Sequence, residues 1–235
     1  MLTPADGESP TMRTGFWPNS DRHVAFDADV VFHEFVHGVT NRLVGGRSNR
    51  SAMRRPQSRG MGEGFSDYFA LTVQSFGKPT EKQVTGSWSK NDSGGIRKFP
   101  YDENFPDSYG DLGTGRYRGS RPEHAVGEIW CATLMEMTRN IGSALGSRDA
   151  GYRLSWQIVV DGLKMTSANP SFLVARDEIL QSIDDLHDSG VVSDSDHSLV
   201  LSAAWRAFAK YGMGVNAFSQ GPELVGIMED DTIPA

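Results

Sequence analysis

The chain has 235 residues, of which 38% are hydrophobic and 10% aromatic, enough for one large domain or two closely packed lobes with a hydrophobic core. Its net charge of −7 and pI near 5.3 argue against a nucleic-acid partner, because phosphate binding requires a basic surface. The sequence contains no run of about 18 apolar residues, so no membrane-spanning helix and no membrane partner are expected.

Two features bear on the cellular compartment. Residues 1–8 have neither the basic nor the apolar region of a signal peptide, so none is expected within this sequence. Cys131 is the single cysteine, which excludes an internal disulfide. Scarce cysteine is compatible with both the cytosol and secretion, so the compartment stays open at this point.

The hydrophobic pattern predicts helices in the first third of the chain. Residues 1–24 are expected to be irregular, because proline and glycine interrupt them. A first amphipathic helix is predicted from Asp27 to the glycines at 45 and 46. The basic stretch 47–59 indicates a surface loop, and a second helix is predicted at about 61–76. The apolar residues that recur in the first helix are Ala28, Val31, Phe32, Phe35, Val39 and Leu43. In the second helix, the residues predicted to face inward are Phe65, Tyr68, Phe69, Leu71 and Val73.

The rest of the chain is predicted to be a long loop followed by four helices. Residues 77–121 are rich in Gly, Pro, Asp and Ser and show no sustained period. A connection of this length is usually functional or contains short elements. The helices are predicted near 122–145, 150–166, 171–188 and 196–211.

The first predicted helix carries the motif His33-Glu34-Phe35-Val36-His37. Histidines four residues apart lie about 40° apart around a helix and roughly 6 Å along it, so both imidazoles can reach one metal ion. Neutral imidazoles suit zinc, and Glu34 could take a proton from a metal-activated water. The motif alone could arise by chance. Its apolar flanks favour a buried helix, where histidines without a role would be costly.

A third ligand is expected from the second helix. Glu63 and Asp67 are four residues apart and therefore share one helix face. Glu63 could bind the metal while Asp67 accepts a hydrogen bond from the far nitrogen of a ligand histidine, which fixes its tautomer. The alternative is an exposed acidic pair at a helix start, where negative charge is favourable in any case.

A peptide-hydrolysing site would also need a donor for the oxyanion that develops in the transition state. His124 is a candidate because it lies at a predicted helix start, in the segment 122–130. The alternative is a histidine near a helix terminus that has no catalytic role.

The residues 33–43, followed by 60–70, resemble the fungalysin family of metallopeptidases, which belongs to the thermolysin-like gluzincins. The resemblance implies one catalytic zinc ion, with His33, His37 and Glu63 as its ligands. It also implies that Glu34 is the general base and that Asp67 orients a ligand histidine. The His-Ala-x-Gly-Glu-x-Trp segment is similar to the one that supplies the family's transition-state histidine. This implies that His124 is the oxyanion donor and that Gly127 and Glu128 are structural.

Two further sites rest on the same resemblance. Residues 95–101 are similar to the family's arginine-aromatic-Pro-Tyr segment, which implies that Arg97 binds a substrate carbonyl. Arg97 could instead be a surface arginine. Asp102, Asp107 and Asp111 could hold calcium, as in related enzymes, but their spacing matches no calcium-loop consensus, and solvated loop acids are the preferred interpretation.

The resemblance implies a mainly α fold, with a thermolysin-like zincin helical core and a C-terminal helical lobe. Region 1–121 would contain the zinc helix, the third-ligand helix and active-site loops, and region 122–235 the helical lobe, as one compact unit. Little sheet is expected, because the family's sheet-containing N-terminal portion is absent from this sequence. That portion includes an edge strand for extended substrates, and its absence would expose apolar surface that a partner chain could cover.

The function expected from these features is zinc-dependent endopeptidase activity on peptides or proteins, in which Glu34 is the general base and His124 and Arg97 stabilise the oxyanion. The resemblance also implies secretion. The alternative is a zinc-binding but catalytically silent module, or a fragment without the substrate-binding edge strand. The intact Glu34 favours the enzyme, because a silent site does not need a base.

Overall fold

The computed structural model describes residues 7–49, 51–118 and 122–234. These residues form seven α-helices, and within the described ranges there are three isolated β-bridges but no sheet. The prediction of a mainly α fold with little sheet is confirmed. The helices are α1 (Ala28–Leu43), α2 (Pro56–Ser75), α3 (Ser87–Lys90), α4 (Glu123–Ala144), α5 (Arg148–Met165), α6 (Phe172–Asp188) and α7 (Asp194–Lys210).

None of the helices in the described part of the chain is both long and apolar enough to cross a bilayer.

Helix α1 begins and ends where the sequence predicts. The side chain of Asp27 accepts a hydrogen bond from the backbone N–H of Asp29 at 3.1 Å, which caps the N-terminus. Beyond the C-terminus, Gly45 has φ = 67°, a left-handed conformation that favours glycine. A Cβ atom at Gly45 would also lie 2.8 Å from the Cβ of Ala168, so the turn packs tightly against the segment after α5.

The predicted start of the second helix at Met61 is wrong, because α2 begins five residues earlier, at Pro56. Contacts with distant segments stabilise this first turn. The side-chain oxygen of Gln57 accepts a hydrogen bond from the backbone of Phe172 at 2.8 Å, and the hydroxyl of Ser58 donates to the carbonyl of Pro170 at 2.7 Å. The last part of the predicted basic loop is therefore helical.

Part of the apolar surface of α1 and α2 is open to solvent. Phe32, Phe35 and Val73 are 38%, 59% and 43% exposed, so the prediction that Val73 faces inward is wrong. The three side chains line an apolar groove of about 470 Å³ together with Val31, Val39, Phe69 and others. The apolar residues do share one side of each helix, but among the described residues no helix covers this apolar surface.

Helices α2 and α4 form the centre of the molecule and approach each other closely. A Cβ atom at Gly64 would lie 2.6 Å from the carbonyl oxygen of Gly127, and one at Gly127 would lie 2.7 Å from the Cβ of Glu63. Side chains at these positions would force the helices apart. The glycines thus set the spacing between Glu63 on α2 and His124 in the first turn of α4.

An aromatic cluster stabilises this arrangement. Trp130 of α4 is fully buried and contacts Phe65 of α2 and Phe172 of α6, with ring centroids 5.5 and 4.8 Å away. Fully burying an aromatic side chain of this size contributes about 1.5–3 kcal/mol. The cluster therefore fixes α2, α4 and α6 relative to one another.

The predicted long loop contains short elements, as expected. It includes α3 and two 3₁₀ turns, Tyr109–Asp111 and Gly115–Tyr117, and Tyr101, Tyr109 and Tyr117 are buried in it. The boundary between regions 1–121 and 122–235 stays a prediction.

Candidate active site

Helix α1 brings His33 and His37 together. Their Nε2 atoms lie 3.0 Å apart, and the ring planes are nearly perpendicular, at 87°. His33 is buried, whereas the side chain of His37 is 19% exposed. One nitrogen of each ring thus points to a shared position at the protein surface.

Glu63 of α2 completes a three-residue cluster. Its Oε2 atom lies 3.1 Å from Nε2 of His33, and its Oε1 atom lies 3.6 Å from Nε2 of His37. Ligand atoms around a tetrahedral zinc ion with bonds of about 2.0–2.1 Å are about 3.3 Å apart, so these separations fit such an ion. Within the described ranges, these three residues are the group of His, Cys, Asp or Glu side chains arranged to hold a metal.

Hydrogen bonding to Asp67 determines which nitrogen of His33 is available. Nδ1 of His33 lies 2.7 Å from Oδ1 of Asp67, and an ionised carboxylate can only accept, so Nδ1 donates. In the neutral ring, Nε2 then presents a lone pair to His37 and Glu63. Oε2 of Glu63 is buried and lies 3.1 Å from Nε2 of His33, but in the neutral ring that nitrogen has no proton to donate to it. Three converging acceptors favour a positive charge between them, and two imidazoles with a carboxylate suit zinc.

The pKa values show that the cluster favours a positive charge. Burial opposes protonation of His33, but Asp67 and Glu63 outweigh it and raise the pKa of His33 to about 9. Burial, followed by the charge on His33, lowers the pKa of His37 to about 4. Burial raises the pKa of Glu63, but the two histidines outweigh it and lower that pKa to about 2. A proton or a metal ion can supply the positive charge, so metal binding would release a proton.

Arg97 lies against Asp67 rather than in open solvent. Its Nε atom donates to Oδ2 at 2.6 Å and its Nη2 atom donates to Oδ1 at 3.0 Å. Tyr101 donates its hydroxyl proton to Oδ2 at 2.6 Å. Burial raises the pKa of Asp67, but Arg97 and His33 outweigh it and hold that pKa far below its usual range. The surface-arginine interpretation is wrong, since the Arg97 side chain is 8% exposed.

The role of Arg97 as a direct substrate ligand stays a prediction. The geometry favours a role in holding Asp67. Tyr101 was not identified as a site residue from the sequence. Its position four residues after Arg97 in the same segment is the one signal that could have indicated it.

His124 and Glu34 lie beside the cluster on different helices. Nε2 of His124 is 3.2 Å from Oε2 of Glu63, and 56% of the His124 side chain is exposed. Glu34 is half-buried and lines an open cleft of about 330 Å³ together with His37 and Glu63. The structure therefore places the Glu34 carboxylate and the accessible His124 imidazole beside the three-residue cluster.

Glu128 connects the Arg97 segment to α4. Its carboxylate accepts a hydrogen bond from the backbone N–H of Lys98 at 3.1 Å and one from the guanidinium of Arg116 at 3.1 Å. Burial raises the pKa of Glu128 above its usual value, because the opposing effect of Arg116 only partly offsets it. This arrangement agrees with a structural role for Glu128, because it anchors the residue next to Arg97.

The three acidic residues considered for calcium make separate contacts. Asp102 accepts from the backbone of Asn104, and Asp111 accepts from the backbone of Ser108, both at 2.8 Å. Asp107 accepts from Arg116 at 2.8 Å. These contacts supply no calcium site, so this metal has no structural support among the described residues.

Comparison with known proteins supports a metallopeptidase. The sequence profile of the family described as "Fungalysin metallopeptidase" matches residues 1–217. The chain is 33% identical over 247 residues to "Extracellular metalloproteinase mep" of Aspergillus fumigatus, covering 97% of this chain and 37% of that protein. It is 34% identical over 251 residues to "Extracellular metalloproteinase 4" of Arthroderma otae, covering 96% and 36%.

A third relative extends the comparison. The chain is 34% identical over 239 residues to "Extracellular metalloproteinase MEP" of Leptosphaeria maculans, covering 92% of this chain and 35% of that protein. The chain thus spans little more than a third of the length of these relatives. The matched residues include the cluster on α1 and α2 and the histidine on α4, and on this evidence the chain belongs to the fungalysin metallopeptidase family.

Proposed function

We propose that this chain carries the catalytic centre of a secreted, zinc-dependent endopeptidase that hydrolyses peptide bonds in peptides and proteins. The observation that carries this proposal is the convergence of His33, His37 and Glu63 on one point beside Glu34 in an open cleft. The family match and the names of the extracellular relatives support it.

Each residue of the cluster has a defined part in holding the metal. His33 and His37 would bind through Nε2 and Glu63 through its carboxylate. Asp67 keeps the proton of His33 on Nδ1, which leaves Nε2 free to bind. When bound, zinc would supply Lewis-acid activation of a water molecule and of the substrate carbonyl.

The proton transfers would be carried out by Glu34. Its side chain lines the same cleft as His37 and Glu63, where it can accept a proton from the attacking water and pass it to the leaving nitrogen. His124 would donate from its imidazole to the oxyanion, because its exposed side chain lies next to Glu63. We propose that Arg97 supports this step by holding Asp67 and, through it, His33.

Replacement of Glu34 tests the proposal. Glu34→Gln keeps the size of the side chain but removes the base, so kcat/KM for a protein substrate such as casein should fall by about 10²–10⁴-fold. Zinc content, measured on the same samples, should remain unchanged because Glu34 is not a ligand. Cleavage by the wild-type chain should stop with a chelator and return with zinc.

Two outcomes would count against the enzyme. Chelator-insensitive cleavage would show that the activity does not depend on this site. Stoichiometric zinc binding without cleavage by either protein would favour the silent module.

A further inference from the structure

The segment that joins the two ligand-bearing helices has an unusual charge. Residues 42–59 contain six arginines and neither Asp nor Glu, although the chain as a whole has a net charge of −7. The segment runs from the end of α1 to the first turn of α2. Its described arginines at 47, 54, 55 and 59 are exposed. A positively charged surface therefore lies next to the metal cluster.

Arg59 brings this charge into the cleft. It lines the cleft of about 330 Å³ together with Glu34, His37 and Glu63. Because it precedes Glu63 by four residues on α2, the two side chains project from the same helix face. The Arg59 side chain is 57% exposed, and its Nη2 atom lies 3.4 Å from Oε1 of the largely buried Glu123.

The guanidinium of Arg59 retains capacity for a second carboxylate. A guanidinium has five N–H donors in a planar fork, and the fork matches the two oxygens of a carboxylate. The contact with Glu123 orients the side chain and leaves donors facing solvent. Thr40 and Asn41, which line the same cleft, add further polar groups. Glu34 on α1 would repel an anion, so a bound carboxylate would lie on the α2 side.

We propose that Arg59 binds a carboxylate of the substrate close to the scissile bond, so that the site prefers acidic peptides. This inference rests on the proposed endopeptidase function. The carboxylate can come from an Asp or Glu side chain or from the C-terminus of a short peptide. Both have the same charge and geometry, and both would be recognised by the guanidinium fork.

Phosphinic peptides, in which a tetrahedral phosphinate replaces the scissile bond, allow binding to be measured without turnover. A set of such peptides carries Asp or Asn at each of three positions on either side of the phosphinate, each with a free or an amidated C-terminus. Dissociation constants are measured by calorimetry for the zinc-loaded full chain. If the carboxylate is a side chain, the wild-type protein should bind the peptide with Asp at one position about tenfold more tightly than the peptide with Asn there. If it is the C-terminus, the peptides with a free C-terminus should bind about tenfold more tightly than the amidated ones.

Arg55 provides a matched control for Arg59. It is an exposed arginine of the same segment whose Nη1 atom pairs with Glu223 at 3.0 Å. Arg59→Gln should abolish the preference for the carboxylate, and Arg59→Lys should retain part of it. Arg55→Gln removes the same charge and should leave the preference unchanged.

Other results of these measurements would overturn either the proposed carboxylate site or the proposed function. Equal binding of acid and amide peptides by the wild-type chain, an equal loss in the Arg55 and Arg59 variants, or no phosphinate binding at all would overturn the inference. Casein cleavage without the acidic preference would leave the proposed function standing. The acidic preference without zinc-dependent cleavage would leave the carboxylate site standing and remove the proposed function.

Discussion

At the residue scale, Asp67 is the buried charge that links the metal cluster to the surrounding structure. It is 1% exposed and accepts hydrogen bonds from His33, Arg97 and Tyr101. These donors offset the cost of burying a carboxylate. Asp67 thereby holds both the orientation and the tautomer of His33.

We expect Asp67→Asn to weaken zinc binding by about 10–100-fold, the usual effect of losing a carboxylate behind a ligand histidine. The neutral amide no longer favours the required tautomer. Competition with a chromophoric chelator measures the dissociation constant. Asp188→Asn is the control, since the Asp188 side chain is 84% exposed and should not affect the affinity. Equal affinities of wild type and Asp67→Asn would contradict this role.

Arg97 is predicted to act through Asp67. Arg97→Gln would leave Asp67 buried without its cationic partner, which typically destabilises a protein by about 3–5 kcal/mol. Arg97→Lys keeps the charge but not the paired hydrogen bonds, so its loss of stability should be smaller. Urea denaturation measures both variants. If Arg97→Lys instead raised KM with zinc affinity and stability unchanged, Arg97 would be a direct substrate ligand.

At the scale of elements, the contact between α2 and α4 determines where Glu63 lies. Gly64 faces the backbone of α4, whereas a Cβ atom at Gly62 would be 3.7 Å from its nearest neighbour, an ordinary contact distance. Both glycines lie inside α2 with negative φ, so the two positions differ in space and not in backbone conformation.

Gly64→Ala should therefore lower the free energy of unfolding by about 1–3 kcal/mol, the typical cost of overpacking. Gly62→Ala should be neutral or add up to about 1 kcal/mol, because alanine favours the helix. Urea denaturation of the two variants provides the comparison. A Gly64→Ala protein as stable as Gly62→Ala would show that the helices are not in close contact.

Local sequence pattern predicts some of these elements and fails for others for physical reasons. The extent of α1 follows from its capping Asp27 and terminal glycines, and the proximity of His33 and His37 follows from helical spacing. The first turn of α2 could not be predicted, because Gln57 stabilises it through contacts more than 100 residues away in the chain. The exposure of Phe35 also could not be predicted, since periodicity identifies an apolar face but not what covers it.

The same distinction applies to the site. Motif spacing indicated His33, His37 and Glu63 as candidate ligands, but the pairing of Arg97 with Asp67 joins residues 30 positions apart through tertiary structure. The hydrogen bond from the backbone of Lys98 to Glu128 is equally non-local. Hydrogen bonds between residues far apart in the chain cannot be predicted from the spacing of residues within one motif.

At the scale of the whole molecule, the cluster joins separate helices. His33 and His37 come from α1 and Glu63 comes from α2, and His124 reaches the cluster from α4. A bound metal would therefore link these helices and stabilise the folded chain by mass action, by about 4 kcal/mol at a metal concentration 1,000 times the dissociation constant.

The zinc content of the purified chain after dialysis against trace zinc tests the central claim most directly. The wild-type chain should retain one zinc ion, His37→Ala should retain none, and His187→Ala should retain one. His187 is a suitable control because it lies at the end of α6 and pairs with Asp194, outside the cluster. A His37→Ala chain that still holds one zinc ion, or a wild-type chain that holds none, would contradict the assignment of His33, His37 and Glu63 as the metal site.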